Sequence, residues 1–319
     1  MRLRKCYIDV NAPLAKCRRL LALVATSNEA DAADGHADVL TDVLVYFHGF
    51  PDMAVHPTQD AFASRMPLKL ADTWLAARGN SSAFVTFNFG GVPGSDHELR
   101  FTDKTISQEV NDAVAVCAFV KRELRAERVH VVGLSTGAII ASLLRGKQDV
   151  VDVASIAVIA GLLDLKRGIE YDFSPLQRMQ FARDGACWKE FYLPTGCTTL
   201  PLNVELSLDG ETKADAEVIA SGETELPRKI FIRLDKPYFL ECQDGTLDIE
   251  KAVTTSSAPL FLVIHGTGDQ NVPFADGEAL FAAAREPKTF VAIPNGNHLL
   301  SNSKHLKKAV NAILSHTTG

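Results

Sequence analysis

The sequence predicts an α/β fold in which a mostly parallel sheet carries helices on both faces and one inserted segment interrupts the alternation. Three observations predict it. Short apolar runs of strand length alternate with segments of helical spacing through residues 43–160 and again from residue 260 onward. A G-x-S-x-G sequence, Gly133-Leu134-Ser135-Thr136-Gly137, stands between one such run and one such segment. From about Leu163 to Ser257 the alternation fails.

The chain opens with a predicted hairpin in which Cys6 to Val10 pairs with Leu20 to Ala25 across a turn containing Asn11 and Pro13. Arg18-Arg19 before that second run imitates a secretory leader, but the run is short and starts late. An acidic, alanine-rich loop from Asn28 to Asp38 follows, and then Val43-Leu44-Val45-Tyr46-Phe47, with the length and β-branched or aromatic content of a buried strand. A helix is expected from Pro67, which the first turn tolerates, to Gly79. Ala83 to Phe89 is the next strand.

Thr105 and Gln108 form a capping box ahead of a helix from Ile106 to about Arg125, whose Val110, Val114, Cys117 and Val120 recur at helical spacing. Arg128 to Val132 is a strand, Thr136 to Leu144 a helix and Ala154 to Ala160 a strand. Right-handed crossovers between such strands place helices on both faces of a parallel sheet.

The segment 163–257 contains a capped helix at Ser174-Pro175, the aromatics Trp188, Phe191 and Tyr192, and two strand-like runs, Asn203 to Leu208 and Lys229 to Leu234. It is expected to be an inserted cap on a core formed by 1–162 and 258–319. The alternation resumes with Leu260 to Ile264, a helix near Asp276 to Arg285, a strand Thr289 to Ile293 and a terminal helix from about Lys304 to Leu314. With 319 residues, 46% of them hydrophobic, the chain has enough apolar mass for one large domain with such an insertion.

A net charge of −6 leaves no excess of Lys and Arg to neutralise phosphates, which argues against nucleic acid or an anionic membrane as partner. No stretch approaches the length needed to span a bilayer. Six scattered cysteines, with no C-x-x-C pair and no histidines at zinc-ligand spacing, argue against structural zinc and read as small buried side chains in a reducing compartment, with disulfides as the alternative that their even number leaves open. A cytoplasmic protein acting on a small molecule is expected.

The chemistry is expected at Ser135. A sharp strand-to-helix turn projects its hydroxyl above the sheet at the amino end of a helix, where glycines relieve crowding and the helix dipole favours negative charge. A serine hydroxyl is a poor nucleophile at neutral pH, so it requires a base, and the base requires a partner that holds its tautomer and stabilises its charge. Asp269, after the Leu260 to Ile264 strand, and His298, after the last strand, supply these in the order serine, acid, histidine. Asp164, after an earlier strand, is the reserve acid. His48 and His265 abut strand ends and read as residues that orient their loops. Donors for a developing oxyanion are expected from the backbone N–H groups of Phe50, in His48-Gly49-Phe50-Pro51, and of Thr136.

These motifs, with Asn88-Phe89-Gly90-Gly91-Val92-Pro93-Gly94-Ser95, His265-Gly266-Thr267-Gly268-Asp269, Val272-Pro273 and Gly296-Asn297-His298, resemble the α/β-hydrolase superfamily over nearly the whole chain. Within it the chain is most similar to cap-bearing serine aminopeptidase-like hydrolases and cinnamoyl or feruloyl esterases. The resemblance implies an eight-stranded sheet, no cofactor and a substrate pocket between sheet and cap. The chain departs from the family pattern at Asn88, where many relatives have aspartate, and at Thr136-Gly137-Ala138, which replaces Met-Gly-Gly. Substrate identity does not carry over.

Ester hydrolysis through an acyl-enzyme is the expected reaction, with amide or peptide hydrolysis and a receptor-like binding role as alternatives. Dehalogenase and epoxide-hydrolase chemistry is disfavoured, since those relatives place aspartate where Ser135 stands. Trp188, Phe191, Tyr192, Tyr238 and Phe239 are read chiefly as cap packing, with an aryl or acyl pocket as the alternative.

Overall fold

The structure is a computed structural model that describes residues 1–12, 15–27, 39–95, 99–197, 205–214, 228–255 and 259–317. The loop expected at 28–38, the tip of the hairpin turn and the start of the run expected from Asn203 lie outside these residues.

The hairpin β1 (Arg2–Ala12) and β2 (Ala15–Thr26) is longer than its apolar runs, with Ile8 opposite Leu20 and Cys6 opposite Ala22. It forms one edge of an eight-stranded sheet with β3 (Asp42–Phe47), β4 (Ser82–Phe87), β5 (Arg128–Leu134), β6 (Ser155–Ile159), β10 (Leu260–Gly266) and β11 (Lys288–Ile293), in the order β1-β2-β4-β3-β5-β6-β10-β11. β2 runs antiparallel to β4, and the six strands from β4 to β11 are mutually parallel. Every residue of β3, β4 and β6 is buried, which is why their sequences are continuous apolar runs without alternation.

The helices of this core are α1 (Arg65–Arg78), α2 (Ile106–Arg122), α3 (Thr136–Arg145), α8 (Phe274–Ala283) and α9 (Ser303–His316). α1 starts two residues before Pro67, behind Ser64, so the proline sits inside the first turn and not at its head. The capping box at Thr105 and Gln108 forms as expected, and α2 buries Val110, Ala113, Val116, Cys117 and Val120. Val114 is only half-buried. Among the described residues no helix is long and apolar enough to cross a membrane.

Between β6 and β10 lie α4 (Leu165–Asp172), α5 (Pro175–Asp184), β7 (Ala186–Tyr192), β8 (Leu206–Ser207), β9 (Lys229–Asp235), α6 (Lys236–Glu241) and α7 (Ile249–Thr255). β7, β9 and β8 form a separate antiparallel three-stranded sheet. β7 was legible only as an aromatic cluster, yet Cys187, Lys189 and Phe191 all face inward at strand spacing while Tyr192 is exposed. α6 is tied to the core by Glu241, whose carboxylate accepts the backbone N–H of Ser107 in the first turn of α2 at 3.0 Å.

In parallel strands every carboxyl end lies on one edge, where the loops after β3, β5, β10 and β11 meet. Ser135, Asp269 and His298 all sit on that edge.

Candidate active site

Ser135 occupies the turn from β5 to α3 with φ 56° and ψ −119°, a conformation that costs an ordinary residue roughly 1–3 kcal/mol. The flanking glycines are required by close approach. A Cβ on Gly133 would stand 2.1 Å from the Gly137 carbonyl oxygen, and one on Gly137 would stand 2.2 Å from the Phe47 carbonyl oxygen. Both obstructions are backbone, so α3 reaches this position only with hydrogens at 133 and 137. The turn places Ser135 as the residue preceding α3, with the backbone N–H of Thr136 at the helix's open amino end.

His298 stands with Nε2 3.0 Å from Ser135 Oγ and Nδ1 2.9 Å from Asp269 Oδ2. The other carboxylate oxygen of Asp269 accepts the backbone N–H groups of Asn271 and Val272 at 2.8 and 2.9 Å. Burial alone would raise the Asp269 pKa. Hydrogen bonds from His265 and His298, the charge of His298 and the Val272 N–H outweigh it and hold the carboxyl well below the usual carboxylate range. An ionised Asp269 accepts and cannot donate, so Nδ1 of His298 carries the hydrogen and Nε2 is the free base facing the serine.

His265 is fully buried beneath this pair, with Nε2 3.0 Å from the Val272 carbonyl oxygen and 3.4 Å from Asp269 Oδ2. It holds the loop that carries the acid and does not reach Ser135, in keeping with its expected orienting role. Asp164, the reserve acid, instead caps α4 by accepting the N–H groups of Lys166 and Arg167.

The loop after β3 lies directly on Ser135. A Cβ on Gly49 would meet Ser135 Cβ at 3.2 Å and Ser135 Oγ at 3.8 Å. His48 accepts the Phe89 N–H on Nε2 at 3.3 Å, so its Nδ1 donates to the Gly49 carbonyl oxygen at 2.7 Å. Burial, with a smaller contribution from the Lys104 charge, pushes the His48 pKa down to about 3 and keeps this neutral tautomer. Anchoring the Gly49 carbonyl fixes the whole peptide plane, and in a trans peptide the Phe50 N–H points the opposite way.

Asn88 explains one departure from the family pattern. Its buried Oδ1 accepts the N–H groups of Ala54 and Val55, each at 2.9 Å, while Nδ2 donates to the carbonyl oxygens of Val55 and Pro93 at 2.8 and 2.9 Å. An ionised aspartate has no hydrogens for the last two bonds.

The family model for serine aminopeptidase, S33 (Hydrolase_4) matches residues 75–305, which takes in Ser135, Asp269 and His298. The chain belongs to this family. Solved structures agree with an α/β-hydrolase fold over almost the whole S33-family chain. The esterase domain of a Rhodothermus marinus protein is 18% identical with a TM-score of 0.58, covering 99% of this chain and 97% of that one. Est1E of Butyrivibrio proteoclasticus, solved with ferulic acid bound, is 18% identical with a TM-score of 0.61, covering 98% and 100%. The mouse alpha/beta hydrolase domain-containing protein 10 is 12% identical with a TM-score of 0.58, covering 98% of each. Among curated sequences, the uncharacterized protein YfhR of Salmonella typhi is 38% identical over 56 residues, 18% of this chain and 19% of that protein's length.

The segment between β6 and β10 borders a cavity that no motif announced. The cavity, of about 610 Å³, is lined by Pro51, Asp172, Phe173, Trp188, Lys189 and Tyr192, among others. Lys189 donates to the Asp172 carbonyl oxygen, and its ammonium stands 4.5 Å from the Phe173 ring centre and 5.8 Å from that of Phe50. Burial raises the Asp172 pKa, and the charges of Lys189 and His298 oppose the rise. Of the aromatics read from sequence, Trp188 and Tyr192 line the cavity, while Phe191 and Tyr238 are buried in packing.

Proposed function

We propose that this protein is a serine hydrolase that cleaves a carboxylic ester of a small molecule through an acyl-enzyme on Ser135. One observation carries the reading: the unbroken relay from Ser135 Oγ through His298 to Asp269, at 3.0 and 2.9 Å, with the carboxylate held ionised. His298 takes the hydroxyl proton as Ser135 attacks the ester carbonyl, and Asp269 stabilises the imidazolium that results. The N–H groups of Phe50 and Thr136 receive the oxyanion. The alkoxide leaves with the proton from His298. Water then attacks the acyl-enzyme with the same base, and the acid departs.

In this reading residues 163–257 act as a cap, and the cavity between Pro51, Asp172 and β7 admits the substrate. No cofactor is called for, because the nucleophile, base and electrostatic stabilisation all come from the chain. Free thiols at Cys6, Cys117, Cys187 and Cys242 support a reducing, cytoplasmic setting.

A fluorophosphonate probe is expected to label the folded protein at Ser135 alone, as read by mass spectrometry, and the labelling is expected to vanish in His298→Ala. Equal labelling of that variant, or none of the folded wild type, would refute the relay as a catalytic unit.

A second reading, hydrolysis of an aminoacyl ester or amide, is supported by the acidic lining of the cavity, where Glu170, Asp172, Glu190 and Glu211 face the same space. It requires free-amine substrates to be turned over faster than their N-acetylated counterparts.

A further inference from the structure

The Phe50 ring stacks on two others. Its centre lies 5.7 Å from that of Phe101 of the core, with planes at 14°, and 4.8 Å from that of Tyr238 of α6, at 23°. Tyr238 is 2% exposed and also meets Phe173 edge-on at 6.3 Å. One inserted side chain therefore packs on a residue whose N–H group was assigned to the oxyanion. Its own position is set by α6, anchored on α2 through Glu241 and Ser107.

We propose that Tyr238 is a positioning residue for the oxyanion hole: its ring holds Phe50, and docking of α6 thereby completes the hole. The proposal rests on the serine-hydrolase reading. Preorganised donors stabilise a transition state because they need not move as charge develops, so any freedom given to Phe50 weakens the transition state more than the bound ester. His48 fixes the Phe50 peptide from the core side. Tyr238 fixes the Phe50 side chain from the inserted side.

The test compares Tyr238→Phe and Tyr238→Leu with wild type, using p-nitrophenyl butyrate kinetics and inhibition by an alkyl trifluoromethyl ketone, whose serine hemiketal places an oxyanion in the hole. Tyr238→Leu is expected to lower kcat about 30-fold, short of the 10²- to 10³-fold that loss of a donor costs, while Tyr238→Phe, which keeps the stacked ring, is expected to stay within about 2-fold of wild type. KM is expected to stay within about 3-fold, and ketone affinity to fall in parallel with kcat, as differential binding of the transition state requires. A merely structural role would not tie ketone affinity to kcat.

A folded Tyr238→Leu protein with wild-type kcat and ketone affinity overturns the proposal, and a Tyr238→Phe protein that loses kcat overturns it even if Tyr238→Leu does not fold. So does a loss confined to KM, or a fall in kcat with unchanged ketone affinity. A wild type that neither hydrolyses an ester nor binds the ketone fails one step earlier and removes the hydrolase reading together with the proposal.

Discussion

Ser135→Ala is expected to lower ester turnover by about 10⁴- to 10⁶-fold while leaving the protein folded. The variant keeps His298, Asp269 and the N–H groups of Phe50 and Thr136, so a residual rate above water is expected from the hole and from binding, on the order of 10³-fold. Alanine at φ 56° carries the same backbone penalty as serine, so its melting temperature should match wild type. Glycine adopts that conformation freely. Ser135→Gly should therefore be as inactive as the alanine variant and more stable, by roughly 1–3 kcal/mol if the strain is fully relieved. Denaturant unfolding of both variants beside initial-rate assays checks the pair. A glycine variant no more stable than the alanine one would show that the elbow stores no strain at residue 135, and an alanine variant with wild-type turnover would remove Ser135 from the chemistry.

The strained turn was legible in sequence because it needs hydrogens at Gly133 and Gly137, and a requirement for glycine writes itself into a chain. The acid and the histidine were legible for a different reason: parallel strands bring their carboxyl ends to one edge, so the order of loops predicts which residues can meet. The same reasoning kept Asp164 open as a rival acid, since its loop also follows a strand. Three-dimensional structure separates the two, because Asp164 turns back on the N–H groups of its own helix while Asp269 reaches His298. The orienting role of His265 was expected from its place at a strand end, but its 3.4 Å approach to Asp269 was not. Least legible were the contributions of 163–257. Tyr238, Lys189 and Asp172 are placed by packing between an antiparallel sheet and short helices, and side chains placed by tertiary contacts leave no spacing to read. Aromatic residues in such a segment look alike in sequence whether they line a cavity, as Trp188 does, or clamp a loop, as Tyr238 does.

Asp269→Asn is expected to cost about 10⁴-fold in kcat, and the reason lies in which atoms can donate. The carboxylate accepts from His298 on one oxygen and from two backbone N–H groups on the other. An asparagine must keep its carbonyl oxygen on those two N–H groups, so its amide hydrogens face Nδ1 of His298. The ring answers by moving its hydrogen to Nε2, where it points at Ser135 and can no longer accept the hydroxyl proton. The imidazolium of the acyl-transfer step also loses its counter-charge. In the proposed relay Ser135 and Asp269 act through the same histidine, so the double variant Ser135→Ala/Asp269→Asn should be no slower than Ser135→Ala alone. Additive losses in that double variant would mean that the acid serves some other step. The substitution changes pH-dependent stability in a defined sense. A carboxyl whose folded pKa is depressed stabilises the fold above the ordinary value of about 3.9, and that contribution is lost as pH falls from there through the depressed value. Asparagine does not titrate, so the variant should lose less stability than wild type on acidification below about pH 4, whereas the single variant Ser135→Ala should follow the wild-type acid limb. Urea melts at stepped pH, run alongside the kinetics, separate a failed relay from a destabilised loop: a relay defect lowers kcat at pH values where both proteins are fully folded.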